Sequence, residues 1–290
     1  MNESAHETSD GTGKATLYVV ATPLGNLRDV TLRALDVLRQ VDVIAAEDTR
    51  MTSRLLERHG IHTRLMAVHE HNERQRGEAI VGLLAGGQSV ALVTDAGTPA
   101  ISDPGAKVVA AVREAGYAVS PVPGPAAVTA ALSVSGYAEP HFLFYGFLPS
   151  RHGERVAVLK TLAAQPWTLV FYEAPHRIVE CVRDLAAELG GERRLLIARE
   201  LTKRFESLHV CALGEAADWL AGDENRQRGE FVLAVTGAPA TDQDEGEARR
   251  ILTVLLEEEL PVKQAVALAA KLTGGRRNEL YALALALKGE

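Results

Sequence analysis

The chain has 290 residues, of which 47% are hydrophobic and 24% are charged, and its formal net charge is −7. This composition excludes a fibrous or mostly disordered protein, and an acidic chain does not have the charge of a dedicated nucleic-acid binder. No apolar run approaches the ~20 residues of a membrane span. The length suffices for about two domains. Cys181 and Cys211 lie outside any CxxC pattern, which predicts reduced thiols in a cytoplasmic protein.

Strand and helix patterns alternate between residues 15 and 135. Short apolar runs predict strands at 17–21, 43–46, 65–68, 90–94 and 118–122, with helical periodicities between them. This alternation predicts an N-terminal α/β domain with a mainly parallel sheet and helices on both faces. Either Asp29 or Thr31 is expected to cap the first helix. Residues 1–14 are polar, unlike a signal peptide, and are expected to form a disordered tail.

A second α/β domain is predicted for residues 136–240. Its strands are expected at 142–147, 168–172, 195–198, 208–213 and 231–235, and the last three have only short expected connections, which favours a mixed sheet. The composition of residues 238–246 predicts a linker. Beyond it, residues 245–290 are expected to form a helical extension, in which Pro261 is expected to start the second helix and the turn at Gly274 resembles that of a helix-turn-helix. Basic and acidic residues are equal in number in this extension, so its charge does not decide its role. The extension could cover the rest of the protein as a helical cap, form a dimer contact or bind RNA.

Residues 90–105, VALVTDAGTPAISDPG, have the pattern of a buried strand followed by a rigid loop rich in Gly and Pro. Other polar motifs follow the neighbouring strands of the first sheet: TPLGN, EDTR, HEHN and PGP. The carboxyl ends of parallel strands meet at one edge of a sheet, where ligands bind in open α/β folds. The sequence therefore predicts that these loops line a single cleft.

Several common site types lack their motifs in this sequence. It has no GxxxxGK[ST] phosphate loop, no GxGxxG after the first strand and no GxSxG nucleophile elbow. His69 and His71 are two residues apart and could share one face of a strand, but no further cluster of ligands accompanies them. No metal site is predicted.

Eight motifs together resemble the ribosomal RNA small-subunit ribose 2′-O-methyltransferases of the tetrapyrrole methylase superfamily. They are TPLGNLRD (22–29), AAEDTR (45–50), HEHNE (69–73), VTDAGTPAISDPG (93–105), PVPGPAA (121–127), FYGFLP (144–149), FYEAPHR (171–177) and RELTK (199–203). The resemblance implies S-adenosylmethionine as the methyl donor, a cleft between two α/β domains, and a homodimer. It implies a cytidine ribose 2′-hydroxyl in the decoding region of small-subunit ribosomal RNA as the acceptor, either in naked RNA or in the 30S subunit.

Carried over position by position, the resemblance also implies site residues. The residues expected to bind the cofactor are Pro23, Leu24, Gly25, Asp95, Ala96, Gly97, Thr98, Pro99, Ile101, Ser102, Asp103, Pro123, Gly124 and Pro125. From their charge, four basic residues are expected to hold RNA phosphates: Arg50, Arg177, Arg199 and Lys203. Pairing with the nearby acids Glu47, Asp48, Glu173 and Glu200 is the alternative, and both roles are compatible. Tyr145 and Tyr172 are candidates for stacking on a base or for core packing.

A ribose hydroxyl is a weak acid, so its methylation profits from a general base. Glu173 and His176 are the first candidates and Glu47 is the third. For Glu173 an ion pair with Arg177 is the alternative role, and for Asp103 a helix cap is the alternative to a ligand contact.

Two other functions are open: methylation of a tetrapyrrole by the same fold, and a non-catalytic role in RNA binding or ribosome assembly. Five basic residues against one acidic residue in positions 193–204 favour an RNA substrate.

Overall fold

The computed structural model describes residues 15–69, 73–239, 242–258 and 260–289. The chain divides into two compact units, one ending at Thr236 and the other beginning at Gly237. The first unit contains two five-stranded sheets. Among the described residues, no helix combines the length and apolar character that a membrane crossing requires.

The first sheet is wholly parallel, with strand order β3-β2-β4-β1-β5. Its strands are β1 (Thr16–Val20), β2 (Val43–Ala46), β3 (Arg64–Ala67), β4 (Val90–Val93) and β5 (Ala118–Val122). The helices that connect them are α1 (Leu32–Gln40), α2 (Thr49–Arg58), α3 (Glu73–Ala85) and α4 (Ala106–Glu114). Apolar residues of α1 and α2 pack on one face and those of α3 and α4 on the other, which buries β2 and β4 completely. The prediction of a parallel sheet between two helical layers is confirmed.

The second sheet is mixed, as predicted, with strand order β6-β7-β10-β8-β9 and a single parallel pair, β6 with β7. Its strands are β6 (Phe142–Phe147), β7 (Thr168–Glu173), β8 (Arg194–Arg199), β9 (Ser207–Ala212) and β10 (Phe231–Val235). Its helices are α5 (Ala127–Ser133), α6 (His152–Leu162), α7 (Ile178–Leu189) and α8 (Ala216–Ala221). Helix α5 covers one face, and α6, α7 and α8 cover the other.

The connection between β9 and β10 is longer and more ordered than the sequence suggested. Helix α8 lies within it, with Ala216 and Leu220 buried in the core beside α7. Two apolar anchors in a six-residue helix give too short a periodic signal to recognise, which is why the expectation of a short connection was wrong.

The second unit has three helices, α9 (Asp242–Glu257), α10 (Val262–Thr273) and α11 (Arg277–Gly289), around their own apolar core. Helix α9 begins at Asp242, so the predicted linker at 238–246 was drawn too long. Pro261 is the N-cap of α10 rather than its first helical residue. In the first unit, Thr31 and not Asp29 caps α1, because the Thr31 hydroxyl accepts the Ala34 amide at 3.1 Å.

The predicted division of the first unit at residue 135 falls in the connection between α5 and β6, and it stays a prediction. The predicted tail at residues 1–14 lies outside the described residues.

Candidate functional site

The loops after β1 and β4 are joined by backbone hydrogen bonds. The Thr22 amide donates to the Gly97 carbonyl at 2.8 Å, and the Gly97 amide returns a bond to the Thr22 carbonyl at 3.0 Å. The Thr22 hydroxyl donates to the Thr94 carbonyl at 3.0 Å. The Gly97 backbone has φ +81°, an angle that residues with a side chain rarely adopt. The Leu24 side chain packs against the Gly97 α-carbon. The motifs TPLGN and DAGTP therefore form one rigid unit.

Two more strand-end loops bond to this unit. The Thr98 hydroxyl donates to the Pro125 carbonyl at 3.2 Å. The Asp95 carboxylate accepts the Asp48 amide at 3.0 Å, and the Asp95 amide donates to the Glu47 carboxylate at 3.4 Å. Four of the five predicted motifs thus meet at one edge of the parallel sheet. For the fifth, HEHN, His69 follows β3, and the rest lies outside the described residues.

Two adjoining cavities open between this edge and the second sheet. The first has a volume of about 350 Å³ and is walled mainly by small and apolar residues. It is lined by Leu24, Ala96, Gly97, Thr98, Ile101, Asp103, Ala126, Ala127, Phe147, Tyr172, Glu173, Ala174, Pro175, Ala198, Leu201, Lys203, Glu230, Phe231 and Val232. The second, of about 400 Å³, is lined by Thr22, Pro23, Leu24, Gly25, Leu27, Met51, Thr52, Leu55, Thr94, Asp95, Ala96, Lys203 and Glu230.

The predicted cofactor-binding residues fall into two groups. Those that line one or both cavities are Pro23, Leu24, Gly25, Asp95, Ala96, Gly97, Thr98, Ile101 and Asp103. Those outside both linings are Pro99, Ser102, Pro123, Gly124 and Pro125. The PGP loop lies outside the linings and stabilises the loops that form them. The Pro125 carbonyl accepts the hydrogen bond from the Thr98 hydroxyl, and the Gly124 α-carbon packs on the side chain of Ala21.

Two loops that line the first cavity hold non-glycine residues in the left-handed region. In the loop after β4 these are Ala100 (φ +68°) and Ser102 (φ +62°), and in the loop after β8 they are Glu200 (φ +52°) and Thr202 (φ +65°). Each such residue costs of order 1–3 kcal/mol, and strain of this kind collects where a loop positions a ligand. In each loop, strained residues alternate with cavity-lining neighbours, such as Ile101 and Leu201.

The carboxylates at the first sheet's edge repel one another. Burial, helped by repulsion from Glu47 and Asp95, raises the pKa of Asp103 to about 7. Burial also raises the pKa of Asp95 and that of Glu47. Asp103 does not cap α4, which corrects one of its two expected roles. That helix starts after Gly105, whose amide donates to Glu73 instead.

Lys203 crosses the cleft from the second sheet. Its ammonium lies 2.9 Å from the carboxylates of both Glu200 and Glu230, and its stem rests on the α-carbon of Gly25 in the TPLGN loop. These two ion pairs raise the pKa of Lys203 against the opposing effect of burial, so the ammonium stays charged. Lys203 lines both cavities.

Glu173 adopts the ion-paired arrangement that was the alternative to a base. Its carboxylate bonds to the Arg177 guanidinium and accepts the Ala174 amide at 2.7 Å, and its side chain is fully buried. Successive side chains of a strand point to opposite faces of the sheet, so Glu173 faces the same side of β7 as Phe171. Phe171 packs on the α7 face of the sheet, whereas Tyr172 faces α5. Glu173 therefore reaches the cavity through its position at the strand end, with its side chain directed to the α7 face.

The other two base candidates lie outside both cavity linings. His176 is exposed on the short turn before α7. Glu47 follows β2 and contacts the Asp95 amide. Their catalytic roles stay predictions.

The predicted phosphate-binding arginines differ in how much of each guanidinium is used within the protein. The Arg50 side chain is 86% exposed and pairs with Asp48, the N-cap of α2. Arg177 is mostly buried against Glu173. Arg199 donates to the Ser207 hydroxyl and to the backbone carbonyls of residues 205, 225 and 228, so most of its donors hold loops together.

The two aromatic candidates are partly explained by packing. The Tyr172 hydroxyl accepts the Val128 amide at 3.1 Å, and its ring makes edge contacts with Phe144 and Phe147. Tyr145 lies 39% exposed at a bulge in β6. Within the described ranges, His, Cys, Asp and Glu side chains do not gather into a metal-binding group.

The family model for Tetrapyrrole (Corrin/Porphyrin) Methylases matches residues 16–217, and that for the RsmI C-terminal HTH domain matches residues 242–288. A protein named ribosomal RNA small subunit methyltransferase I from Escherichia coli O157:H7 is 48% identical over 98% of this chain and 99% of its own length. The chain belongs to this methyltransferase family. A protein of the same name from Pseudomonas aeruginosa is 50% identical over 95% of this chain and 98% of its own.

Solved structures of more distant methyltransferases share the family's fold. The methyltransferase CobJ superimposes with a TM-score of 0.60 at 20% identity, over 78% of this chain and 95% of that one. The cobalt precorrin-4 methyltransferase CbiF gives a TM-score of 0.58 at 15% identity, over 76% of this chain and 94% of its own. The predicted tetrapyrrole methylase fold is confirmed.

Proposed function

We propose that this protein transfers the methyl group of S-adenosylmethionine to the ribose 2′-hydroxyl of a cytidine in the decoding region of small-subunit ribosomal RNA. The observation that carries the proposal is the pair of adjoining cavities that share Lys203, at the edge where the predicted motif loops meet. A donor and an acceptor must lie side by side for a transfer, and two adjoining cavities suit this requirement. The names of the nearly full-length relatives support a ribosomal RNA substrate.

The residues of the cleft suit this donor. The donor's adenine needs a flat apolar slot, which Leu24, Ala126 and Ala127 offer, and Gly97 lets the backbone come close to a ligand. The donor also carries a sulfonium and an ammonium group, and the carboxylate of Asp95 lines the second cavity without an ion-pair partner among the described residues. When bound, S-adenosylmethionine supplies an electrophilic methyl group on a positively charged sulfur.

The chain's own contribution to this reaction is chiefly positioning. The cross-links from Thr22 to Gly97 and from Thr98 to Pro125 fix the loops before a ligand arrives, which lowers the entropy lost on binding. Phe147 and Val232 contribute apolar walls to the first cavity. Lys203 lies between the two spaces, and its ion pairs with Glu200 and Glu230 hold the loop after β8 at the cleft.

Exposed cations around the cleft would hold the RNA backbone. Arg50 projects into solvent beside the EDTR loop, and Arg204 is exposed next to Lys203. Arginine pairs with phosphate through two parallel hydrogen bonds, so such side chains position RNA without reading its bases.

The function is tested by incubating the protein with tritiated S-adenosylmethionine and either purified 30S subunits or naked small-subunit RNA. Nucleoside mass spectrometry of the product should find 2′-O-methylcytidine. An Asp95→Ala variant is expected to bind the donor weakly and to give no product. Methyl groups found only on a base, or no transfer to either RNA form, would contradict the proposal.

A tetrapyrrole substrate is the second candidate, because the solved structures named above belong to that chemistry by their names. The helices at 242–288 favour RNA, since a porphyrinoid does not require them. A porphyrinoid offered in competition with RNA should leave the methylation rate unchanged. For a non-catalytic assembly factor, the Asp95→Ala variant would retain RNA binding and the wild type would give no product.

We further propose a homodimer in the cytoplasm. Light scattering at micromolar concentration should give twice the chain mass of 31.1 kDa. A monomer would contradict this part of the proposal only.

A further inference from the structure

Asp103 differs from the other carboxylates that line the first cavity. Glu173 is paired with Arg177, and Glu230 is paired with Lys203. Asp103 forms no ion pair among the described residues, although it lines the cavity and is about half-buried. It lies at the end of the strained loop that contains Ala100 and Ser102, so its position is fixed by the backbone.

The surroundings of Asp103 disfavour its charged form. The acids that face it are Glu47 after β2, Asp95 after β4 and Glu230 before β10, and burial adds the largest effect. One neighbour acts in the other direction: hydrogen bonding from the Thr94 hydroxyl favours the charged carboxylate and lowers the pKa of Asp103. Lys203 is the cation that lines the same cavity, and its ammonium already forms ion pairs with Glu200 and Glu230. The resulting pKa of about 7 makes Asp103 a stronger base than an exposed aspartate.

We infer that Asp103 is the general base that removes the proton from the acceptor ribose hydroxyl. The inference rests on the proposed function. In the step, the hydroxyl oxygen forms a bond to the methyl carbon while the bond from that carbon to sulfur breaks. The electron pair of the broken bond stays on sulfur, which becomes a neutral thioether, and the hydroxyl proton passes to the Asp103 carboxylate.

The geometry favours Asp103 over the bases expected from the motifs. The Glu173 side chain lies on the α7 face of the second sheet, where Arg177 holds it. His176 and Glu47 lie outside both cavity linings. Asp103 lines the cavity, and its carboxylate forms no ion pair within the described part of the chain.

The test compares wild type with Asp103→Asn, which keeps the shape of the side chain but removes its basicity. The single-turnover methylation rate is measured on 30S subunits from pH 5.5 to 9, and calorimetry gives the Kd for S-adenosylmethionine. Asp103→Glu restores a carboxylate one methylene further out. Asp36→Asn removes an exposed carboxylate of α1, and it controls for the loss of one negative charge.

The wild-type rate should rise with pH and level off at pH 7 or below, because the base acts when deprotonated and the cationic donor favours that form. Asp103→Asn should lose about 10²–10⁴-fold in rate, the usual contribution of a general base. Its Kd for the donor should change less than about threefold, and the bend in its pH profile should disappear. Asp103→Glu should recover part of the rate, and Asp36→Asn should match wild type.

Two results would overturn the inference. One is an Asp103→Asn rate near that of wild type. The other is a loss of donor binding as large as the loss of rate, which would make Asp103 a donor-binding residue. A wild-type protein that binds the donor but methylates neither RNA form would instead refute the proposed function itself.

Discussion

The stem of Lys203 lies directly on the α-carbon of Gly25, at a place where a β-carbon would collide with it. This contact joins the loop after β1 to the loop after β8 across the cleft. It holds the Lys203 ammonium within 2.9 Å of Glu230, at the point where the two cavities meet. Gly25 thus serves the site by lacking a side chain.

Replacing Gly25 with Ala should displace Lys203 from the cleft. We expect the Kd for S-adenosylmethionine or for 30S subunits to rise about tenfold, while thermal unfolding changes little because the lysine can move into solvent. Gly153→Ala in α6 is the matched control, since a β-carbon added there would meet no neighbouring side chain within 4 Å. Wild-type affinities in Gly25→Ala would show that the position of Lys203 is unimportant.

Gly97 and Gly87 allow backbone strain to be separated from site geometry. Their φ angles are +81° and +82°, but only Gly97 is packed, against Leu24 at the cavity wall. Alanine at either position should lower the free energy of unfolding by about 1–2 kcal/mol. Calorimetry should show at least a tenfold weaker donor affinity for Gly97→Ala and an unchanged affinity for Gly87→Ala. Equal donor affinities in the two variants would contradict the assignment of Gly97 to the site.

Arg50 and Arg199 should respond oppositely to alanine substitution. Arg50→Ala should weaken binding to 30S subunits and reduce the salt dependence of that binding by about one ion, because one phosphate contact is lost. Its thermal unfolding should stay close to wild type. Arg199→Ala should lower the free energy of unfolding by about 2 kcal/mol or more, because three carbonyls lose their donor. Destabilisation by Arg50→Ala, with unchanged RNA affinity, would reverse this interpretation.

A buried ion pair stabilises the second sheet's helical layer. Arg155 is 1% exposed, and its Nε lies 2.6 Å from the Asp184 carboxylate, which also contacts His152. Asp184→Ala would remove the close counter-charge of the buried guanidinium and leave the exposed Glu180 carboxylate at 4.0 Å, so it should lower the free energy of unfolding by about 3 kcal/mol. In urea titrations, breaking the exposed pair of Asp36 and Arg39 should cost under about 1 kcal/mol. Similar costs for the two would contradict the assigned role of burial.

The order of the strands along the chain could be predicted because most of the apolar runs have a Gly, Pro or Asp within two residues of an end. The predicted strands at 43–46, 118–122, 142–147 and 231–235 have the observed bounds, and the others differ by one residue at one or both ends. The parallel first sheet followed from the alternation with helices. Helix α8 was missed because it is short and has few apolar anchors.

The site could be predicted only where its residues carry unusual chemistry. The Gly- and Asp-rich loops were found, but cavity walls such as Ala198 and Val232 have the same apolar character as core strand residues. The face of the sheet to which Glu173 points also could not be predicted from the sequence. Every residue of β7 before Tyr172 is buried, so no alternation of apolar and polar residues distinguishes the two faces of this strand. The partners of Arg199 come from residues 205–228 and depend on the folded loops.

The measurement that tests the central proposal most directly is the position of the transferred methyl group. Wild-type protein, labelled S-adenosylmethionine and 30S subunits are incubated together, and the small-subunit RNA is digested to nucleosides for mass spectrometry. The proposal predicts one 2′-O-methylcytidine per RNA, absent with Asp95→Ala. Label on a base alone, or no label in RNA from a protein that binds the donor, would contradict it.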